Sequence, residues 1–140
     1  MRYWDSSALV PLVATEAATA RLDALLAADP VILTWWGSRL ECASAIARRE
    51  RAGELGGPLV HEALNALHYL RDSWQEIAPT PQVREQAERL VRVHPLRASD
   101  ALQLAAGLVA ADFRPGSLTF VTLDERLART AQREGFAVAT

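Results

Sequence analysis

Apolar residues along this chain follow two rhythms that alternate with each other. Short strand-like runs recur at Tyr3-Trp4, at Val31-Ile32-Leu33 closed by Thr34, at Glu76-Ile77-Ala78, at Leu118-Thr119-Phe120-Val121 and at Phe136-Ala137-Val138-Ala139. Between them the spacing becomes helical. Ala8–Val13 reads as a short helix with Pro11 near enough its start to be tolerated. The stretch from Glu16 to Ala28 carries Leu22, Leu25 and Leu26 on one face and stops before Pro30. Ser38-Arg39-Leu40-Glu41 has the form of a capping box and opens a helix running to Arg51, before Gly53. After Gly56-Gly57-Pro58, a longer helix places Val60, Ala63, Leu64, Leu67, Leu70 and Trp74 on a buried stripe. Leu59, Ala66 and Tyr69 lie off that stripe, which fits either a partner surface or burial on two sides. Thr80 as cap and Pro81 as first residue start a helix that stops at His94-Pro95. Ser99 to about Ala111 is the most uniformly apolar helix, its alanines suited to close packing on a sheet, and Thr122-Leu123-Asp124-Glu125 begins the last one, ending at Gly135. Strands alternating with helices predict an α/β fold with a mainly parallel sheet. No repeat, linker or low-complexity stretch divides residues 1–140, so one domain is expected.

Composition narrows the possibilities. A chain of 140 residues, 50% hydrophobic and 23% charged, suits a globular domain that buries about two-thirds of its unfolded surface. Its apolar runs fall short of the ~20 residues that cross a bilayer. The opening residues are strand-like and unlike a leader, and Cys42 is the sole cysteine, so a cytoplasmic location without disulfides is expected. The net charge of −2 provides no global basic field for nucleic acid. All 15 basic residues are arginine. Arginine forks onto phosphate but replaces neither a Schiff-base amine nor the lysine of a phosphate-binding P-loop.

Four acids stand at predicted helix starts: Asp5, Glu41, Asp100 and Asp124. A carboxylate at a helix N-terminus stabilises it by ~0.3–1 kcal/mol, and that alone accounts for any one of them. Asp5 and Asp124 also follow a strand directly, which puts them on the carboxyl edge of a parallel sheet, where ligands bind. Glu41 follows a strand after a short loop, whereas Asp100 follows a helix. Periodicity therefore brings two or three acids together and leaves the fourth unplaced.

Asp5-Ser6-Ser7-Ala8-Leu9-Val10 resembles the opening of a PIN domain of the VapC toxin type. Glu41-Cys42-Ala43-Ser44-Ala45-Ile46 is similar to that family's second motif, Leu96-Arg97-Ala98-Ser99-Asp100-Ala101-Leu102-Gln103-Leu104-Ala105 to its third, and Val121-Thr122-Leu123-Asp124-Glu125-Arg126-Leu127 to its fourth. The resemblance spans nearly the whole chain in order and spacing. It implies a PIN-like three-layer fold with Asp5, Glu41, Asp100 and Asp124 as an acidic quartet. It also implies an Mg²⁺-dependent endoribonuclease, with Mn²⁺ able to substitute, held inactive by a small VapB-like antitoxin and usually dimeric. Asp5 and Asp100 would then be the direct metal ligands. Glu41 and Asp124 would act through water, complete a second metal site, or help deprotonate the nucleophile. Ser7 and Ser99 could fix carboxylate rotamers or merely cap helices. Arg97 could meet an RNA phosphate, and the Arg48-Arg49-Arg51 cluster is a second candidate, though a solvent-facing helix end explains it as well. A PIN-fold module that binds RNA or protein without cutting is the alternative.

Other chemistry is not supported. His61-Glu62-Ala63-Leu64-Asn65 lacks the second histidine of a zinc-protease helix, and His68 and His94 read as surface residues. There is no nucleophile elbow or dinucleotide fingerprint. Trp35 and Trp36 read as aromatic core beside the sheet edge.

Overall fold

The structure is a computed structural model describing residues 1–140. Its strands are β1 (Arg2–Trp4), β2 (Ile32–Trp35), β3 (Gln75–Ile77), β4 (Thr119–Val121) and β5 (Ala137–Ala139). They form one sheet in the order β3-β2-β1-β4-β5, and every pairing is parallel. The helices are α1 (Ser6–Val13), α2 (Thr19–Ala28), α3 (Ser38–Arg51), α4 (Gly57–Ser73), α5 (Pro81–Val93), α6 (Ala98–Ala110) and α7 (Glu125–Arg133), with a 3₁₀ turn at Pro115–Ser117. This is the α/β architecture that the alternating rhythms predict, with strand ends moved by a residue or two.

Side chains alternate across a strand, so β1, β2 and β4 at the centre of the sheet each feed two cores. Tyr3, Leu33, Trp35 and Phe120 point to one face, where they meet Val83, Ala87 and Leu90 of α5, Leu104 and Ala105 of α6, and Leu127 of α7. Trp4, Ile32 and Val121 point to the other and pack with Leu9, Leu22, Cys42, Ile46, Val60 and Leu67. The alanines of α6 let it lie close to the sheet. At Gly107 an added Cβ would stand 2.9 Å from the Phe120 ring, so this helix position has room only for glycine unless the ring moves.

Several expectations need correction. Trp35 is in the core, but Trp36 is 57% exposed, because it lies one residue past the pleat that buries its neighbour. On α4, Leu64 is exposed rather than on the buried stripe, alongside exposed Leu59 and Tyr69. His94 is largely covered, its Nε2 2.6 Å from Glu134 Oε1 at the end of α7. The capping box does not form. Gly37 is the cap of α3, and Ser38 is fully buried, facing Thr34 and Gln103 instead.

Candidate active site

Asp5 leaves the carboxyl end of β1 and caps α1, accepting from the Ser7 N–H at 3.2 Å. The same oxygen, Oδ2, accepts from Ser7 Oγ at 2.5 Å and Thr122 Oγ1 at 2.9 Å. Oδ1 has Ser6 Oγ at 3.4 Å and no shorter side-chain donor. One carboxylate oxygen is thus saturated by the fold while the other keeps unused acceptor capacity. The side chain is 4% exposed.

The register explains how Asp124 comes to this edge. Trp4 pairs with Val121, and the Asp5 N–H donates to the Val121 carbonyl at 2.9 Å, so the ends of β1 and β4 lie side by side. Ser7 Oγ then accepts from the Leu123 N–H at 2.9 Å and Thr122 Oγ1 from the Asp124 N–H at 3.1 Å. Asp124 caps α7 through the Leu127 N–H at 2.8 Å.

Glu41 sits in the first turn of α3 and is reached from two sides. Its Oε2 accepts from Ser6 Oγ at 2.6 Å and Gln103 Nε2 at 3.1 Å. Ser6 Oγ therefore stands between the two acids, giving its one proton to Glu41 and lying 3.4 Å from Asp5 Oδ1. Asp100 is in the first turn of α6 and is half-buried, and no hydrogen bond from Ser99 to it is formed. A cleft of about 700 Å³ opens beside these residues, lined by Ser6, Ser7, Glu41, Ser99, Arg48 and Arg97 among others. Asp5 lies behind its two serines, and Asp100 and Asp124 are outside its lining.

Burial and neighbouring charge act on three of the acids. Burial pushes the Asp5 carboxyl above its ordinary value despite the Ser7 and Thr122 hydroxyls. Burial also raises Glu41, and the charges of Asp5 and Asp100 add to this against the Ser6 and Gln103 bonds. Asp100 is raised by desolvation and then by Asp124, with Arg126 and Arg97 opposing.

No group of three carboxylate, histidine or cysteine side chains is arranged to grip a metal ion directly. Mg²⁺ binds through one or two carboxylates and keeps several waters, so it does not require such a grip. The donors available are all oxygens, one oxygen of Asp5 keeps spare acceptor capacity, and the acids repel one another. The residues present fit a hard divalent cation.

Sequence reasoning did not anticipate Ser6, Thr122, Ser38 or Gln103 as parts of this network. The available signal was Gln103 itself, a polar residue inside the most apolar helix. The arginine cluster at the end of α3, one unit in the sequence, divides in the fold. Arg48 faces the cleft and bonds Ser44 Oγ at 3.1 Å, while Arg49 pairs with Glu16 and Glu54.

No protein-family profile matches the chain. Among curated proteins, it is 32% identical to Ribonuclease VapC45 of Mycobacterium tuberculosis strain CDC 1551 / Oshkosh over 140 residues, covering 98% of this chain and 93% of the relative. The chain belongs to the VapC ribonuclease family. Ribonuclease VapC49 of M. tuberculosis strain H37Rv, a second VapC relative, matches with the same identity and coverage. The crystal structure of PAE2754 from Pyrobaculum aerophilum superposes with a TM-score of 0.67 at 21% identity, covering 99% of this chain and 89% of the other. That likeness extends to the fold, which is PIN-like: a parallel sheet between two layers of helices. No helix is long and apolar enough to cross a membrane.

Proposed function

We propose that this VapC-family chain is an Mg²⁺-dependent endoribonuclease, the toxin of a VapBC-type module, hydrolysing RNA phosphodiester bonds with an activated water. The observation carrying the reading is the coupled acid set at one sheet edge. Ser6 Oγ stands between Asp5 and Glu41, the charges of Asp5 and Asp100 act on Glu41, and that of Asp124 acts on Asp100. The names of two relatives at 32% identity point to the same activity.

When bound, Mg²⁺ supplies neutralising charge for the phosphate oxygens and acidifies water. Asp5 would hold it through Oδ1, with Asp100 as the second direct ligand and Mn²⁺ able to replace it. Ser7 and Thr122 keep Asp5 in one rotamer by occupying Oδ2. Glu41, at the cleft wall, would accept a proton or hold an ordered water, and Asp124 would do the same from the start of α7. Arg97 and Arg48 line the cleft, where each could fork onto an RNA phosphate, fixing position without reading sequence. Ser99 would contribute a hydroxyl at the same wall.

The partners follow from the same reading: RNA as substrate, a small VapB-like antitoxin, and a second copy of the chain. Exposed Leu59, Leu64 and Tyr69 on α4 and Leu40 at the cleft mouth on α3 are apolar side chains open to such contacts. Binding without cleavage is the second reading, and the lack of a three-carboxylate grip is the observation in its favour. Incubating the purified protein with total RNA, with Mg²⁺ and with EDTA, separates the two. Discrete fragments that disappear with EDTA are expected, and intact RNA in both lanes would leave only the binding module.

A further inference from the structure

Gln103 is 1% exposed, yet it is hydrogen-bonded at both ends of its amide. Tyr3 OH donates to Oε1 at 2.9 Å, and Nε2 donates to Ser38 Oγ at 2.9 Å and to Glu41 Oε2 at 3.1 Å. Thr34 Oγ1, 2.7 Å from Ser38 Oγ, donates onward to the Trp4 carbonyl at 2.7 Å. The chain of bonds crosses from β1 through α6 to α3 and ends on the one member of the acid set that lines the cleft. A flipped amide would turn its oxygen toward the Glu41 carboxylate, so the orientation has a single satisfactory form. Tyr3 is fully buried between sheet and α6 and touches neither the cleft nor solvent.

We infer that Gln103 is a positioning residue for Glu41, its amide locked by Tyr3 so that the carboxylate is held in one rotamer beside Ser6. The inference rests on the nuclease reading above and adds a residue to it. An amide fits this place for a physical reason. It donates to a carboxylate without adding charge to a buried region, and its other end accepts from a phenol. Methionine would match its volume and supply neither function. Glutamate would match its shape and accept from Tyr3, but could not donate to Glu41.

The test compares the parent with Gln103→Met, Gln103→Glu, Tyr3→Phe and Asp5→Asn, each assayed well below its own melting temperature. Gln103→Met and Gln103→Glu should lower kcat by about 10- to 100-fold, as outer-shell partners of site ligands do, with KM for RNA within about twofold. Tyr3→Phe, remote from the cleft, should lower kcat in the same direction by a smaller factor. Mn²⁺ affinity measured without RNA should weaken in both Gln103 variants. A purely structural role would lower the melting temperature alone. Parental kcat and Mn²⁺ affinity in the folded Gln103 variants, with Asp5→Asn inactive, would overturn the positioning role and leave the nuclease intact. If either Gln103 variant does not fold, the other variant and Tyr3→Phe decide. Full activity in Asp5→Asn, or no cleavage by the parent, would overturn the nuclease reading and this inference with it.

Discussion

Asp5 is held as a charge that the protein alone does not accommodate well. Three donors crowd one oxygen, yet burial still raises the carboxyl above its ordinary value. For an acid with a raised folded pKa, the folded state binds protons more tightly than the unfolded chain. The stabilisation is complete below the unfolded value of about 4 and is lost as pH rises through the raised folded value. Asp5, Glu41 and Asp100 all act in this direction. Glu134 acts oppositely: it is desolvated, but Arg89 and His94 outweigh this and lower it, so its contribution fades as pH falls. Without divalent metal, Asp5→Asn should therefore raise the melting temperature near neutral pH by a few degrees, and the gain should vanish near about pH 4. Thermal melts across pH check this. An asparagine variant that melts lower at neutral pH would mean that the carboxylate is stabilising as it stands.

At the scale of elements, the site is built from helix starts on one sheet edge, and this was partly legible beforehand. Asp5 and Asp124 could be located because one directly follows a strand and the other comes three residues after one, and a strand end followed by capping residues is a local signal. Asp100 could not, because its helix follows another helix and only tertiary packing brings α6 alongside. Ser38 was misread for a related reason. The Ser-x-x-Glu spacing satisfies a local capping rule, but Thr34 and Gln103 offer that hydroxyl partners from elsewhere in the fold. Gln103 and Glu41 are 62 positions apart, and no periodicity encodes such a contact. The placement of α6 is itself testable. Gly107→Ala puts a methyl group 2.9 Å from Phe120 on the strand beside β1. Overpacking of this kind costs about 1–3 kcal/mol, despite alanine's better helix propensity. A urea midpoint equal to or above the parent's would show that α6 lies farther from the sheet than described.

For the whole molecule, the cost of assembling like charges predicts a linkage between cation and fold. An ion that binds the native site and not the unfolded chain stabilises by about 2.7 kcal/mol at 100 times its dissociation constant. Mn²⁺ should accordingly raise the melting temperature of the parent, and should do so much less in Asp5→Asn. An unchanged melt at saturating Mn²⁺ would count against a preformed cation site. Three of the exposed apolar residues, Leu59, Leu64 and Tyr69, lie on α4 and take no part in the network that fixes the acids. Leu59 and Leu64 flank the buried stripe of Val60, Ala63 and Leu67 on its two sides, and Tyr69 lies on the side away from it. The sequence pattern already contained that surplus, although it assigned Leu64 to the wrong face.

The account depends most on the acids acting together on RNA, and the most direct measurement is cleavage and RNA binding in the same samples of parent and Asp5→Asn/Asp100→Asn protein with Mg²⁺. The parent should cut, and the double variant should bind RNA with comparable affinity and cut nothing detectable. A folded double variant that cleaves at the parental rate would contradict it.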